Sequence, residues 1–206
     1  MDCGTGMYFR PSSPFLRVFA VSACVLTLGG CLGGGARDDT FALSAVAAAE
    51  GPSAKSRQIL VPEPTALNAL DSEQIVIRLD RSEIQYLAKA RWNDRLPKMV
   101  QAKLVEAFEN SGKLGGVGRP GEGLAIDYQI MTDIRAFQIE TNGGDIARVE
   151  ISVKLLNDRN GTVRAQKVFQ ATAPVGGTGN RAFVAALDRA FSSVTGDIVA
   201  WALRSM

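Results

Sequence analysis

Cys31 is the residue whose type and position in this sequence predict a specific chemical step. It follows Leu28, Gly29 and Gly30, which end an apolar run that begins at Val18. Small residues leave the backbone accessible to a peptidase, and a cysteine thiol is a nucleophile when it ionises. The pattern therefore predicts cleavage before Cys31 and attachment of lipid to its sulfur.

The segment before the proposed cleavage site has the organisation of a targeting peptide. Arg10 and Arg17 form a positively charged flank, and residues 18–28 form an apolar core. A core of this length is typical of signal peptides and is too short to span a bilayer as a helix. The alternatives are an ordinary secretory signal and a buried apolar segment that contains a cysteine by chance. Translation starts at Met1 or at Met7.

The four residues Leu28, Gly29, Gly30 and Cys31 resemble the lipobox of bacterial lipoproteins. This resemblance implies a diacylglyceryl thioether on Cys31, cleavage before it, and acylation of the new amino group. Two or three acyl chains anchor a protein stably, whereas a single chain binds a membrane only marginally. The expected site residues are therefore the lipid-attachment cysteine and the three residues before it.

Leu32 follows the cysteine, and by the sorting rule of enterobacterial lipoproteins this residue favours the outer membrane over the inner membrane. The next residues are rich in glycine and cannot pack into a core. We expect a signal peptide at residues 1–30, a lipidated glycine-rich tether at 31–39, and one domain facing the periplasm at 40–206.

The composition of the chain excludes several classes of function. The sequence contains no histidine, which removes Ser-His-Asp and Cys-His catalysis and the commonest zinc sites. Cys3, Cys24 and Cys31 are its three cysteines, so the expected mature domain has no free thiol. The net charge is only +2, with scattered Lys and Arg, and nucleic-acid binding is not expected. We predict a protein that is not an enzyme and has no catalytic residues, metal site or cofactor.

Two patterns that could indicate chemistry do not support it. Asp127 and Asp133 would share one face of a strand, but six residues at about 3.3 Å each place them roughly 20 Å apart, too far for an acid–base pair. Residues 116–121 match the glycine fingerprint of dinucleotide-binding proteins literally. That fingerprint needs a strand before it and a helix after it, whereas here a helix precedes and a strand follows.

The apolar periodicities predict a single α/β domain, in which helices pack on a mixed sheet that contains a three-stranded meander. Strands are expected at 40–44, 73–79, 83–88, 124–140 (with a bulge near Arg135), 147–157 and 162–174; helices at 93–110 and from about 180 to 204; and loops at 45–57 and 115–123. Asn93 or Asp94 is expected to cap the first helix, and Thr178 or Asn180 the second. The apolar stripe of the last helix is expected to pack on the sheet.

Four blocks in this order resemble the ABC-type transport auxiliary lipoproteins, the family that includes paraquat-inducible protein C. The blocks are 40–44, 92–97 with 104–108, 126–137, and 149–175. The resemblance implies a three-layer fold of the anticodon-binding or TolB amino-terminal type. It also implies work beside a permease, an ATPase and a substrate-binding protein of the mammalian-cell-entry type, in a system that moves lipids between the envelope membranes. A homo-oligomer is compatible with it.

A different structural role is the alternative reading of the same features. A lipoprotein that assists assembly of an outer-membrane channel, or of another envelope complex, would share the anchor and the absence of catalytic motifs. The two roles differ in the partner: a β-barrel or secretin in one case, a transporter subunit in the other.

Overall fold

The computed structural model describes residues 38–44 and 50–206. The predicted signal peptide, Cys31 with its lipobox, and nearly all of the tether lie outside the described residues. The strands are β1 (Asp39–Phe41), β2 (Ala54–Leu60), β3 (Thr65–Ala66), β4 (Gln74–Arg78), β5 (Ile84–Trp92), β6 (Leu114–Gly118), β7 (Tyr128–Glu140), β8 (Ile146–Asn157) and β9 (Val163–Pro174). The helices are α1 (Leu96–Ser111) and α2 (Asn180–Ser205).

Strand β7 organises the sheet. One of its edges pairs antiparallel with β8 from end to end, and its other edge pairs in parallel with β2, β3 and β4 in succession. Beyond these neighbours lie β9 next to β8, β6 next to β2, and β5 followed by β1 next to β4. The described residues thus form one mixed sheet of nine strands, which confirms the predicted fold class and the meander β7–β8–β9.

Alternation of side chains explains why the meander forms. Five residues of β8 point inward and are fully buried: Ala147, Val149, Ile151, Val153 and Leu155. The predicted bulge is confirmed, because the β7–β8 register shifts between Ile134 and Ala136. Gly161 closes the β8–β9 turn with a φ of 70°, a conformation that glycine adopts without steric cost.

Helix α1 begins and ends where its sequence allows. Pro97 lies in the first turn, where backbone N–H groups have no acceptor within the helix, so the N–H that proline lacks costs no hydrogen bond. Gly112 follows the last turn with a left-handed φ of 61°, and its N–H donates to the carbonyl oxygen of Glu109. The helix begins three residues later than the predicted start at residue 93, whereas its end lies within one residue of the predicted end at 110.

The predicted side-chain caps are wrong for both helices. The residues that precede them are Arg95 and Gly179, and neither makes a capping hydrogen bond. The carboxylate of Asp94 instead accepts the N–H of Arg95 at 2.7 Å. Asn180 is already helical, and its side chain donates to the carbonyl oxygen of Ala88 at 3.1 Å. A tertiary contact with β5 therefore takes the amide that sequence reasoning assigned to a local cap.

Both helices lie on the same side of the sheet. They contact each other, and their buried residues join one hydrophobic core with the inward face of β7 and β8. Phe137 of β7 lies at the centre, with its ring 5.8 Å from that of Trp92 and 5.7 Å from that of Phe191. The described residues therefore form two layers, where the family resemblance implied three. No helix in residues 38–44 and 50–206 is long and apolar enough to cross a membrane.

Two segments predicted as loops contain strands. Strand β2 occupies the end of the predicted loop 45–57, and β6 occupies the start of the predicted loop 115–123. They pair with each other in parallel, although helix α1 and much of the sheet separate them in sequence. A Cβ atom at Gly115 would collide with the backbone oxygen of Lys55. The glycines that suggested a flexible connector therefore permit a close approach of two strands.

The long strand predicted at 124–140 begins later than expected. Its first paired residue is Tyr128, which lies opposite Ile59 on one side and Asn157 on the other. Residues 124–127 have no strand partner. The prediction for 83–88 errs in the opposite direction, because β5 continues to Trp92, where it pairs with Phe41 of β1.

Candidate functional site

The lipid-attachment residue predicted from the sequence lies outside the described residues, together with Leu28, Gly29 and Gly30. Among the described residues, the outward face of the meander offers both apolar and charged groups, including exposed Met131, Val163 and Lys154. This face is opposite the helices, so its side chains meet solvent and not the core.

The cross-strand register assembles a groove on this outward face. Met131 of β7 lies opposite Lys154 of β8, and Lys154 lies opposite Gln166 of β9. In the next row, Leu156 of β8 lies opposite Val163. The groove has a volume of about 340 Å³, and its lining residues are Glu63, Thr65, Met131, Thr132, Asp133, Ser152, Lys154, Leu156 and Val163.

Of the three charged side chains that line the groove, the two acids have ion-pair partners in the described residues and the lysine has none. Asp133 accepts a hydrogen bond from the hydroxyl of Thr65 at 3.0 Å and lies 3.5 Å from Arg135. Glu63 pairs with Arg95 at 3.1 Å. Lys154 is exposed and makes no ion pair within residues 38–44 and 50–206. The groove therefore presents one uncompensated cation beside the apolar side chains of Met131 and its neighbours.

Asp127 is the buried carboxylate of a separate ion-pair cluster just before β7, and its two arginine partners have exposed side chains. Its side chain accepts the backbone N–H of Gln58 at 3.0 Å and a guanidinium N–H of Arg159 at 2.9 Å. Arg57 lies 3.6 Å from the same carboxylate. The hydrogen bond from Gln58 and the two cations lower the pKa of Asp127, although burial acts in the opposite direction. The carboxylate is thus held ionised between two strands and a turn.

The two acids weighed as a catalytic pair serve different structural contacts. Asp127 binds Gln58 and Arg159, whereas Asp133 binds Thr65. In the described part of the chain no group of acidic side chains is arranged to hold a metal ion. The groove can accommodate apolar groups next to a cation, which is chemistry suited to noncovalent binding.

A second cavity lies between two turns at the other end of the sheet. It has a volume of about 250 Å³, and its lining residues are Arg78, Asp80, Arg81, Glu140 and Asn142. Asp80 accepts the backbone N–H groups of Ser82 and Glu83 at 2.7 and 2.8 Å, and these bonds lower its pKa. These hydrogen bonds stabilise the β4–β5 turn.

Sequence reasoning missed both cavities, and the reason is topological. The groove combines β3, β7, β8 and β9, while the second cavity joins the β4–β5 and β7–β8 turns. No local motif marks either set. The sequence signal for the groove is that Met131, Leu156 and Val163 are apolar at strand positions where outward-facing residues are usually polar. That these three residues lie together becomes visible only from the strand register.

Comparison with known proteins places the chain in a family. The family model for the ABC-type transport auxiliary lipoprotein component matches residues 41–199. The uncharacterised protein bll6063 of Bradyrhizobium diazoefficiens is 31% identical over 153 residues. That alignment covers 73% of this chain but only 41% of the relative, so the chain matches less than half of that protein's length.

Solved structures share the fold. The crystal structure of protein XCC0632 from Xanthomonas campestris has a TM-score of 0.75 and 29% identity, covering 81% of this chain and 95% of that one. The hypothetical protein CT253 of Chlamydia trachomatis has a TM-score of 0.51 at 10% identity, covering 72% and 97%, and this likeness concerns the fold alone. By the extent of the family match, which includes helix α1, most of helix α2 and all but the first residues of the sheet, the chain belongs to the family of ABC-type transport auxiliary lipoprotein components.

Proposed function

We propose that this protein is a membrane-anchored periplasmic lipoprotein that acts as an auxiliary component of an ABC-type envelope lipid-transport system. Membership of the auxiliary lipoprotein family carries the proposal, since the match extends over residues 41–199. The partners are the permease and ATPase of the system and its substrate-binding protein of the mammalian-cell-entry type. The protein itself performs no chemical step on the transported lipid.

Anchoring is the first part of the proposed function. Cleavage before Cys31 leaves acyl chains on that residue, the tether at residues 31–39, and a single periplasmic domain at 40–206. Leu32 after the cysteine favours the outer membrane. Several acyl chains supply enough buried hydrocarbon for stable attachment, so the domain works at the surface of one membrane.

Docking is the second part, and it uses the groove of the meander. Lys154 is a cation without an ion-pair partner in the described residues, and Met131, Leu156 and Val163 offer apolar contact around it. This combination fits an amphipathic segment of a transporter subunit that carries an acidic side chain. Methionine adapts its shape readily to such a segment. Opposite charges across an interface fix register and speed association.

The anchor is tested by Cys31→Ser in intact cells. We expect wild-type protein to incorporate radiolabelled fatty acid, to sediment with membranes and to co-purify with a transporter subunit. Cys31→Ser should lose the acyl label and move to the soluble periplasmic fraction. Cys24→Ser is the matched control, because this cysteine precedes the cleavage site and its replacement should change neither labelling nor fractionation.

Two results would contradict the proposal. Wild-type protein recovered as an unlabelled soluble species would remove the anchor. Crosslinked partners that consist of a β-barrel or secretin, and include no transporter subunit, would assign the protein to the assembly of an envelope channel instead.

A further inference from the structure

One end of the sheet is formed by three connections. In the strand register, Arg78 at the end of β4 lies opposite Glu140 at the end of β7, and Glu140 lies opposite Ile146 at the start of β8. The β4–β5 turn, the β7–β8 turn and the β9–α2 loop therefore lie side by side. The N–H of Thr141 donates to the carbonyl oxygen of Arg78 at 3.1 Å and joins the first two. We call this surface the turn end.

The first described strand, β1, pairs with the far end of β5 and runs away from the turn end. Strand β1 is parallel to β5, with Asp39 opposite Ala90, and β5 starts at the turn end. The N-terminal end of β1 therefore points towards it. Eight peptide units separate Cys31 from Asp39, and at about 3.5 Å each they reach roughly 28 Å. Ile84 is about 20 Å from Ala90 along β5, within the span of such a tether.

The turn end exposes apolar side chains of the kind that enter a membrane interface. Ile84 and Tyr86 of β5 are 37% and 41% exposed. Tyrosine is enriched at the interface between lipid and water, because its ring is apolar and its hydroxyl remains hydrated. Their strand neighbours are Arg78 opposite Ile84 and Val76 opposite Tyr86, so an arginine accompanies the apolar pair.

The cavity between the turns leaves two guanidinium groups available for an anion. Of its acidic residues, Asp80 accepts hydrogen bonds from the backbone of its own turn, although the charge of Arg78 also helps to lower its pKa. Glu140 accepts the side-chain amide of Gln138 at 2.9 Å and lies 4.0 Å from Arg148. Arg78 donates to the carbonyl oxygen of Arg81 at 3.1 Å. Neither arginine forms an ion pair in the part of the chain that the structure describes. Guanidinium groups bind phosphate oxygens with strong, charge-assisted hydrogen bonds.

We propose that the turn end rests on the surface of the bilayer that holds the anchor. Arg78 and Arg81 bind phospholipid phosphates, while Ile84 and Tyr86 lie at the level of the headgroups. The inference rests on the proposed function, because it requires the acylated Cys31. It also gives the domain an orientation: the groove near Val163 lies towards the opposite end of the meander, away from the membrane and accessible to a partner.

Depth-dependent quenching tests this orientation on the full, acylated protein. A fluorescent label is attached to Ile84→Cys or to Val163→Cys in protein reconstituted into vesicles of phosphatidylethanolamine and phosphatidylglycerol. These two positions are matched, since both are exposed apolar residues at opposite ends of the sheet. We expect a nitroxide on the lipid headgroup to quench the label at position 84 severalfold more strongly than the label at 163.

The arginines are tested in the same vesicles. Replacement of both Arg78 and Arg81 by Ala should lower the quenching at position 84 severalfold, whereas Arg119→Ala in the β6–β7 loop should leave it unchanged. Equal quenching at the two labelled positions, or no effect of the double replacement in folded protein, would overturn the orientation. Mass spectrometry of the same sample separates the two proposals, because absence of acyl chains on Cys31 would overturn the proposed function itself.

Discussion

Asp127 shows how a single residue can connect distant parts of this chain. It is nine-tenths buried or more, and its partners Gln58 and Arg159 lie 69 and 32 residues away in sequence. Its backbone takes part as well, since its N–H donates to Gln58 and its carbonyl oxygen accepts the N–H of Asp158. The residue thus holds the start of β7 between β2 and the β8–β9 turn, where the docking groove ends.

Removal of this carboxylate should destabilise the domain. Asp127→Ala leaves the N–H of Gln58 and the guanidinium of Arg159 without their acceptor, and the expected loss is about 1–3 kcal/mol in the free energy of unfolding. Urea denaturation measures it. Asp197→Ala, an exposed acid of α2, should change the stability by less than about 0.5 kcal/mol. Equal effects of the two variants would refute the structural role of Asp127.

The same residue should make stability depend on acid pH. The hydrogen bond from Gln58 and the charges of Arg159 and Arg57 hold the pKa of Asp127 below its ordinary value of 3.8 in the folded protein. Because the pKa of Asp127 is lower in the folded protein than in the unfolded chain, its contribution to the free energy of unfolding is complete above pH 3.8. This contribution is lost as the pH falls from 3.8 through the lower pKa of the folded protein. The stabilities of wild type and Asp127→Asn should therefore differ at pH 7 and converge below about pH 3.8. A difference that already shrinks well above pH 3.8, or one that persists unchanged far below it, would contradict this cause.

At the scale of elements, the pairing of β2 with β6 is the feature least visible in local sequence. The two strands bring Leu60 next to Gly118 and Ala54 next to Leu114. Only glycine fits at position 115, because the Cβ atom of any other residue would collide with the backbone oxygen of Lys55. Backbone, unlike the end of a flexible side chain, cannot move aside without loss of the strand pair.

Gly115→Val should therefore weaken this edge of the sheet. Crowding of this kind typically costs about 1–3 kcal/mol or more, and we expect a lower thermal midpoint together with faster amide exchange in β2 and β6. Gly176→Ala is the control, since a Cβ there meets nothing within 4 Å. A Gly115→Val protein as stable as this control would show that the strands are not packed as described.

At the scale of the whole molecule, two surfaces that each combine cations with apolar side chains lie at opposite ends of the sheet. The turn end combines Arg78 and Arg81 with exposed Ile84 and Tyr86, and the groove combines Lys154 with apolar neighbours near the β8–β9 turn. The length of β7 and β8 keeps the two apart. The proposed membrane contact and the proposed docking contact therefore use separate surfaces of one domain.

Reversal of the charge in the groove should weaken the transporter complex. Lys154→Glu replaces the cation of the groove with an uncompensated acid beside Asp133 and Glu63, and we expect severalfold less transporter subunit in co-purification, with an unchanged thermal midpoint. Arg119→Glu changes the same charge in the β6–β7 loop and should leave recovery at the wild-type level. Undiminished recovery with Lys154→Glu would exclude the groove as the docking site.

Much of the fold could be predicted from the sequence because it depends on local patterns. Alternation over β8, the Asn160–Gly161 turn, and the apolar stripe of α2 each arise from residues close together in the chain. The bulge near Arg135 was also visible as a break in alternation. The helix caps, the start of β7 and the strands β2 and β6 were mispredicted, because tertiary contacts compete with local propensity at these places.

The sequence by itself determined the class of the domain, its meander and its family, and it predicts lipid attachment at Cys31. These features depend on periodicity, turn residues and short motifs that act within a few residues. Only the tertiary structure decided that both helices share one face, that Asp127 is a buried ion-pair centre, and that Met131, Lys154 and Val163 form one groove. Such features depend on strand register, which joins residues far apart in sequence and leaves no local signal.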